Sequence, residues 1–369
     1  MSGSVWKFCF YTGTFNYKLN EETNTYELSY IGMLINLCSA LNIFTTISNW
    51  AFIQNISDPK FYFKFALIFL LSIFRLMKSS KRHSFFTMEH FSEACNGKDF
   101  HSIHIACVML MTSLMVEGFI FPYQRFQKKN QYAFMSILLQ LAMLFSRFAY
   151  LTITFQICLI CYIIQMELKS LLLELENTLN ACVINNNDIF FVSDTLTGLS
   201  NNYKQNIHVR QTMVRNSISK YVKLIAFTKS FNREYRHELF LLYIFYLNCS
   251  EDFMSLIFRQ FSSPNTQSIT VFLIFKLINI IVQFIYLSYR CYKVKKQYYE
   301  FEYMLINYDN LCEQEMFNLI NILLHKLNIN RIKFSAMDFV NIDMELFSKT
   351  VVGLLFLMVT LITEMDLLV

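Results

Sequence analysis

Apolar residues in this chain gather into long runs separated by short polar connectors. A hydrocarbon core of ~30 Å takes roughly 20 helical residues to cross. The runs predict spans at Leu28 to Ile53, Phe61 to Met77, Ile103 to Phe121, Tyr132 to Ile164, Leu239 to Phe258, Ile269 to Tyr289 and Leu346 to Thr363. The fourth is longer than a membrane needs, so its helix is expected to continue past the bilayer through Met166 to Thr178. A transmembrane β-barrel would show segments of about 10 residues with alternating polarity, and none is visible. The fold class is therefore all-α integral membrane with seven transmembrane helices. It divides into an N-terminal segment (1–27), helices one to four (28–165), a polar helical segment (166–238), helices five and six (239–290), a second polar segment (291–345) and a last helix with the C-terminus (346–369).

Composition agrees with this division: 54% of residues are hydrophobic and 16% charged, more apolar surface than a soluble domain of this length buries. Residues 1–27 lack the basic, apolar and small-residue order of a cleavable signal, so the N-terminus is expected to be retained. Lys and Arg number 2, 4, 9 and 6 in segments 1–27, 78–102, 166–238 and 291–345, against 1, 3, 1 and 0 in the segments on the other side. Cytoplasmic loops retain the positive charge, with Lys78 to His83 as the densest anchor, so the N-terminus is placed inside and the C-terminus outside. Asn55, in an Asn-Ile-Ser sequon, then falls in an outer loop as a glycosylation candidate. This orientation is opposite to that of receptors coupled to G proteins.

The two polar segments are expected to form a cytoplasmic helical anchor. Met316, Ile320, Leu323, Leu324 and Leu327 recur at helical spacing, a stripe suited to packing within the chain or between subunits. Enzyme chemistry has little to hold: there is no Gly-rich phosphate loop, zinc-protease motif or nucleophile elbow. No metal, cofactor or nucleic acid is implied. His101 and His104 lack completing ligands, and Cys158 and Cys161, inside the fourth span, read as packing residues.

Ionisable groups inside spans are costly unless paired or hydrated. Lys64, Glu117, Glu251, Asp252 and Lys276 fall in the outer halves of their helices, and Arg147 lies near mid-depth. They outline a candidate outward-facing ligand pocket, with Lys276 expected to pair with Glu251 or Asp252; the alternative is a set of structural ion pairs. In the last helix, Lys349, Gly353, Leu357, Thr360 and Glu364 are spaced by 4, 4, 3 and 4 and so share one face. Around a symmetry axis that face would place a ring of Glu364 carboxylates near the outer end, with Asp366 close by, and such rings favour cations; the alternative is that Glu364 and Asp366 simply mark where the helix leaves the membrane for water.

Gly13 to Tyr17 followed by Glu22 to Thr25, the stretch Phe334 to Asp343, and the spacing of Leu357-Met358 and Glu364-Met365 across five intervening residues together resemble the insect gustatory receptors and their gustatory-receptor-like relatives. In that family the last helix ends with Thr-Tyr, five hydrophobic residues and Gln-Phe, so Glu364 stands at the glutamine position. The resemblance implies a tetrameric ligand-gated cation channel, homomeric or heteromeric. Its last helix would line the pore through Gly353, Leu357, Thr360 and Glu364, its cytoplasmic helices would join the subunits, and an outward-open pocket would take a tastant or other small molecule. Monovalent and divalent cations and membrane lipid are the further partners implied, and the plasma membrane of a sensory neuron the location. The alternative is a non-channel relative or an accessory subunit that needs a partner. No residue selects among sugars, bitter compounds, hydrocarbons or gases.

Overall fold

The computed structural model describes residues 17–20, 25–28, 66, 70, 150–151, 153–178, 196–261, 267–309, 314–329 and 331–366. Near the N-terminus, β1 (Tyr17–Asn20) and β2 (Thr25–Leu28) form an antiparallel hairpin with Tyr17 opposite Leu28 and Asn20 opposite Thr25. Leu28, expected to open the first span, is thus still paired in the hairpin. Apart from Leu28 and residues 66 and 70, the first three expected spans lie outside the described residues, as do Asn55, Lys64, Glu117, Arg147, and the His101 and His104 pair.

Three long helices follow: α1 (Ile153–Thr178), α2 (Leu196–Phe261) and α3 (Gln267–Asp309). Each is long and apolar enough to cross a membrane. α1 runs unbroken past Ile164, as the overlong fourth apolar run requires. α2 and α3 do the same on a larger scale: 66 residues in α2 rise roughly 100 Å at ~1.5 Å per residue, several times a bilayer core. The cause is local. No glycine or proline interrupts the chain from Leu199 to Phe261 or from Gln267 to Asp309, so nothing ends the helices where their apolar stretches end.

The chain forms two compact units, one made of Met1–Leu159, Glu234–Tyr289 and Ser335–Val369, the other of Ile160–Arg233 and Arg290–Phe334. In the second unit the core is built from helical stripes. Leu168, Leu171 and Leu175 come from α1; Val214, Ile218, Tyr221 and Ile225 from α2; Val294, Tyr298, Phe301 and Leu305 from α3. α4 (Gln314–Ile329) adds Ile320, Leu323 and Leu327, all fully buried. Those three residues of the stripe are therefore covered within the unit, while Leu324 is half-buried. Tyr221 stacks on Phe301 with ring centroids 5.4 Å apart, and the Lys220 to Glu174 ion pair at 2.8 Å is exposed and contributes little.

The Tyr298 hydroxyl donates to the Leu327 carbonyl near the end of α4. Tyr298→Phe keeps the ring but leaves a carbonyl without its donor, which costs about 1–3 kcal/mol. A lower thermal midpoint for Tyr298→Phe is expected, and an unchanged midpoint contradicts the role of this hydrogen bond.

Candidate functional site

The final helix, α5 (Met344–Asp366), is entered through a tight hairpin, β3 (Ser335–Ala336) and β4 (Val340–Asn341). Ser335 pairs with Asn341 and Ala336 with Val340. Met337 and Asp338 turn the chain at φ 53° and 63°, left-handed values that cost a side-chain-bearing residue energy. Two contacts hold them there: the Ser335 hydroxyl donates to Asp338 Oδ1 at 2.9 Å, and the Phe339 N–H donates to the Ala336 carbonyl at 3.1 Å.

Asp343 then caps α5. Its Oδ1 accepts from the Leu346 N–H at 3.0 Å, and its carbonyl accepts from the Phe347 N–H at 3.2 Å. Replacing Asp343 with Ala is expected to cost about 1 kcal/mol through the lost cap. Circular dichroism and a thermal melt read this, and an unchanged melt contradicts the cap's role.

The first turn of α5 is anchored by aromatic packing. Phe347 meets Phe284 of α3 edge-on at 5.7 Å between centroids. Phe284 also touches Tyr246 and Tyr243 of α2, at 5.5 and 6.0 Å. Tyr246 shares a 2.6 Å hydrogen bond with the Thr154 hydroxyl of α1, and Phe245 stacks on Tyr150 at 3.8 Å. Rings of α2 and α3 thus pack at the base of α5, with Thr154 of α1 bonded to Tyr246.

Beyond Thr350 this anchoring stops. Among the described side chains from Val351 to Thr363 none is buried, and Val352 is 66% and Phe356 74% exposed. A Cβ built on Gly353 meets nothing within 4 Å among the described residues. On the expected pore face Lys349, Gly353 and Thr360 are exposed and Leu357 is half-buried. Glu364 lies in the last turns of the helix. Lys349 pairs with Glu345 one turn back at 2.8 Å. The Thr360 and Thr363 hydroxyls donate to the carbonyls of Phe356 and Val359, at 3.0 and 2.9 Å, which satisfies them without a second helix.

Of the candidate ligand residues, Glu251 and Asp252 are half-buried on α2 and Lys276 is buried on α3. The Lys276 ammonium lies 5.8 Å from the ring centroid of Phe253, the residue after Asp252. The structure therefore brings Lys276 to the level of the expected acidic pair. Asn279, one turn along α3, has a buried side-chain nitrogen with no hydrogen-bond partner among the described residues. Sequence reasoning missed Asn279 and the Phe284 cluster. The signal for Asn279 was available, since it stands three residues from Lys276 on the same helical face.

No protein-family model matches the sequence, and a comparison with curated proteins finds no match. Solved structures do match in fold. The insect olfactory receptor OR5 from Machilis hrabei superposes with a TM-score of 0.70 at 12% identity, covering 98% of this chain and 97% of that one. The same receptor in complex with eugenol gives a TM-score of 0.71 over the same extents. The chain has the fold of a multi-pass helical membrane receptor.

Proposed function

We propose that this chain is one subunit of a chemosensory receptor that is itself a ligand-gated cation channel, with α5 from each of four copies around a central pore. The observation that carries the reading is the uncovered length of α5. A helix with an apolar run of this length must be covered by lipid or by protein. Its Gly353, Thr360 and Glu364 face suits lipid poorly, because an ionisable group in hydrocarbon is costly. Turned toward an axis shared with sister chains, the same face meets water. The fold likeness to an insect olfactory receptor supports the receptor reading, and that receptor's complex with eugenol supports a small organic molecule as ligand. Whether the stimulus is tasted or smelled is a finer matter, and the resemblance in the sequence favours taste.

In this reading seven helices cross the plasma membrane, the N-terminus is cytoplasmic, and segments 166–238 and 291–345 lie in the cytoplasm. There α3 carries an exposed stripe, Tyr292, Tyr299, Tyr303 and Ile306, spaced by 7, 4 and 3 on one helical face, with Tyr303 68% exposed. Such a face in water is suited to cover by a second copy. Lys276, Asn279, Glu251 and Asp252 line the ligand site. Glu364 stands in the pore and favours cations.

Reversal potentials test the pore assignment. Under a salt gradient, Glu364→Gln is expected to move the reversal potential toward that of a less cation-selective pore, because a ring of carboxylates becomes a ring of amides. An unchanged potential removes Glu364 from the conduction path.

A further inference from the structure

In the second unit, the Cys161 sulfur of α1 and the Cys291 sulfur of α3 stand 3.9 Å apart, both fully buried, although 130 residues separate them in the chain. The contact does not stand alone. Tyr162, the next residue on α1, takes the guanidinium of Arg290, the preceding residue on α3, over its ring at 5.7 Å. Arg290 is itself buried. Two consecutive residues of one helix therefore meet two consecutive residues of the other, through one sulfur contact and one cation–π contact. The second contact holds the helices in the register that brings the sulfurs together.

We propose that Cys161 and Cys291 form an oxidative modification site, a thiol pair that a hydroperoxide converts to an intrachain disulfide tying α1 to α3. A disulfide needs its sulfurs at ~2.05 Å, so closure requires each side chain to turn slightly about its Cα–Cβ bond on helices already in contact. In the first step one sulfur gives up its proton and attacks the peroxide O–O bond, forming a sulfenic acid and releasing water from hydrogen peroxide. In the second, the other sulfur attacks the sulfenic sulfur, the S–S bond forms, and the hydroxyl leaves as water with the second thiol's proton. The two thiols lose two electrons and the peroxide gains them. A reducing compartment restores the thiols by exchange with a small thiol, so the bond would persist only under oxidising conditions.

The other sulfur close in sequence is Cys158, one turn back on α1. Neighbours at i and i+3 on one helix have side chains that project side by side from a rigid backbone, whereas Cys161 and Cys291 approach from facing helices. The proposal therefore assigns Cys291 as the partner.

The test uses the full chain in lipid nanodiscs. Exposed thiols are first capped with N-ethylmaleimide in the folded state, which the buried pair escapes. The protein is then treated with hydrogen peroxide, denatured in iodoacetamide and mapped by mass spectrometry. Expected is a linked peptide joining Cys161 to Cys291, two hydrogens lighter than the thiol pair and split by dithiothreitol. The wild-type thermal midpoint should rise by several degrees on oxidation, and that of Cys161→Ser or Cys291→Ser should not. Recovery of both residues as alkylated thiols, a Cys158 to Cys161 link, or sulfinic acids in place of the bond overturns the proposal. The wild-type peptide map decides the matter even where a serine variant folds poorly.

Discussion

Gly353→Phe should leave the chain folded and at the cell surface while reducing evoked current at least tenfold. Both halves of this expectation start from one observation, that a Cβ at Gly353 would meet nothing within 4 Å among the described residues beyond its own helix backbone. A side chain there meets no described neighbour at its Cβ, and leaving glycine favours the helix by a few tenths of a kcal/mol to about 1 kcal/mol. In the proposed assembly with α5 around an axis, this position would face the lumen, and four phenyl rings would fill it. Surface biotinylation and current at saturating agonist read the two halves separately. Normal current in a well-expressed Gly353→Phe channel contradicts the pore face, whereas lost expression points to packing that the single chain does not reveal.

Lys276→Met tests the ligand site on the same scale. Methionine approximates the length and the apolar stem of lysine but removes the charge, so packing against Phe253 largely survives. If the buried ammonium meets the ligand, agonist potency is expected to fall at least tenfold at unchanged surface expression, about 1.4 kcal/mol or more of binding free energy. If Lys276 only locks α3 to α2, the variant loses surface expression while the channels that reach the surface respond with normal potency. Asn279→Ala provides an independent check, because it removes a neutral donor one turn away and should also lower potency.

The membrane class and the continuity of α1 were legible in the sequence because length and polarity decide them. Apolar runs of this size admit few alternatives, and the run from Tyr132 exceeds one bilayer. The great lengths of α2 and α3 were legible in principle, through the missing glycines and prolines. Polarity masked them: where Lys and Arg become frequent, the hydropathy signal ends although the helix does not. The β3–β4 hairpin was not legible. Its turn residues, Met337 and Asp338, are neither Asn-Gly nor Gly-rich, so no turn signal is present, and their left-handed conformation is held by the Ser335 and Ala336 contacts.

The candidate site was legible in part. Helical spacing alone placed Gly353, Leu357, Thr360 and Glu364 on one face, and the exposure of the first and third follows from α5 leaving its own chain after Thr350. Ionisable residues in apolar runs drew attention to Lys276 and Asp252. The Phe284 cluster was hidden because aromatic residues are abundant throughout, 39 Phe and 21 Tyr, and only packing distinguishes a ring that joins three helices from one that faces lipid. Cys161 and Cys291 were hidden for a similar reason, since a contact across 130 residues leaves no mark in local spacing.

The most direct test of the account is to image the purified, lipid-reconstituted protein as single particles and count copies around the symmetry axis. Four copies are expected, with α5 of each facing a common water-filled axis and Glu364 toward its outer end. A particle holding one copy, or an assembly in which α5 lies at the lipid-facing perimeter, contradicts it.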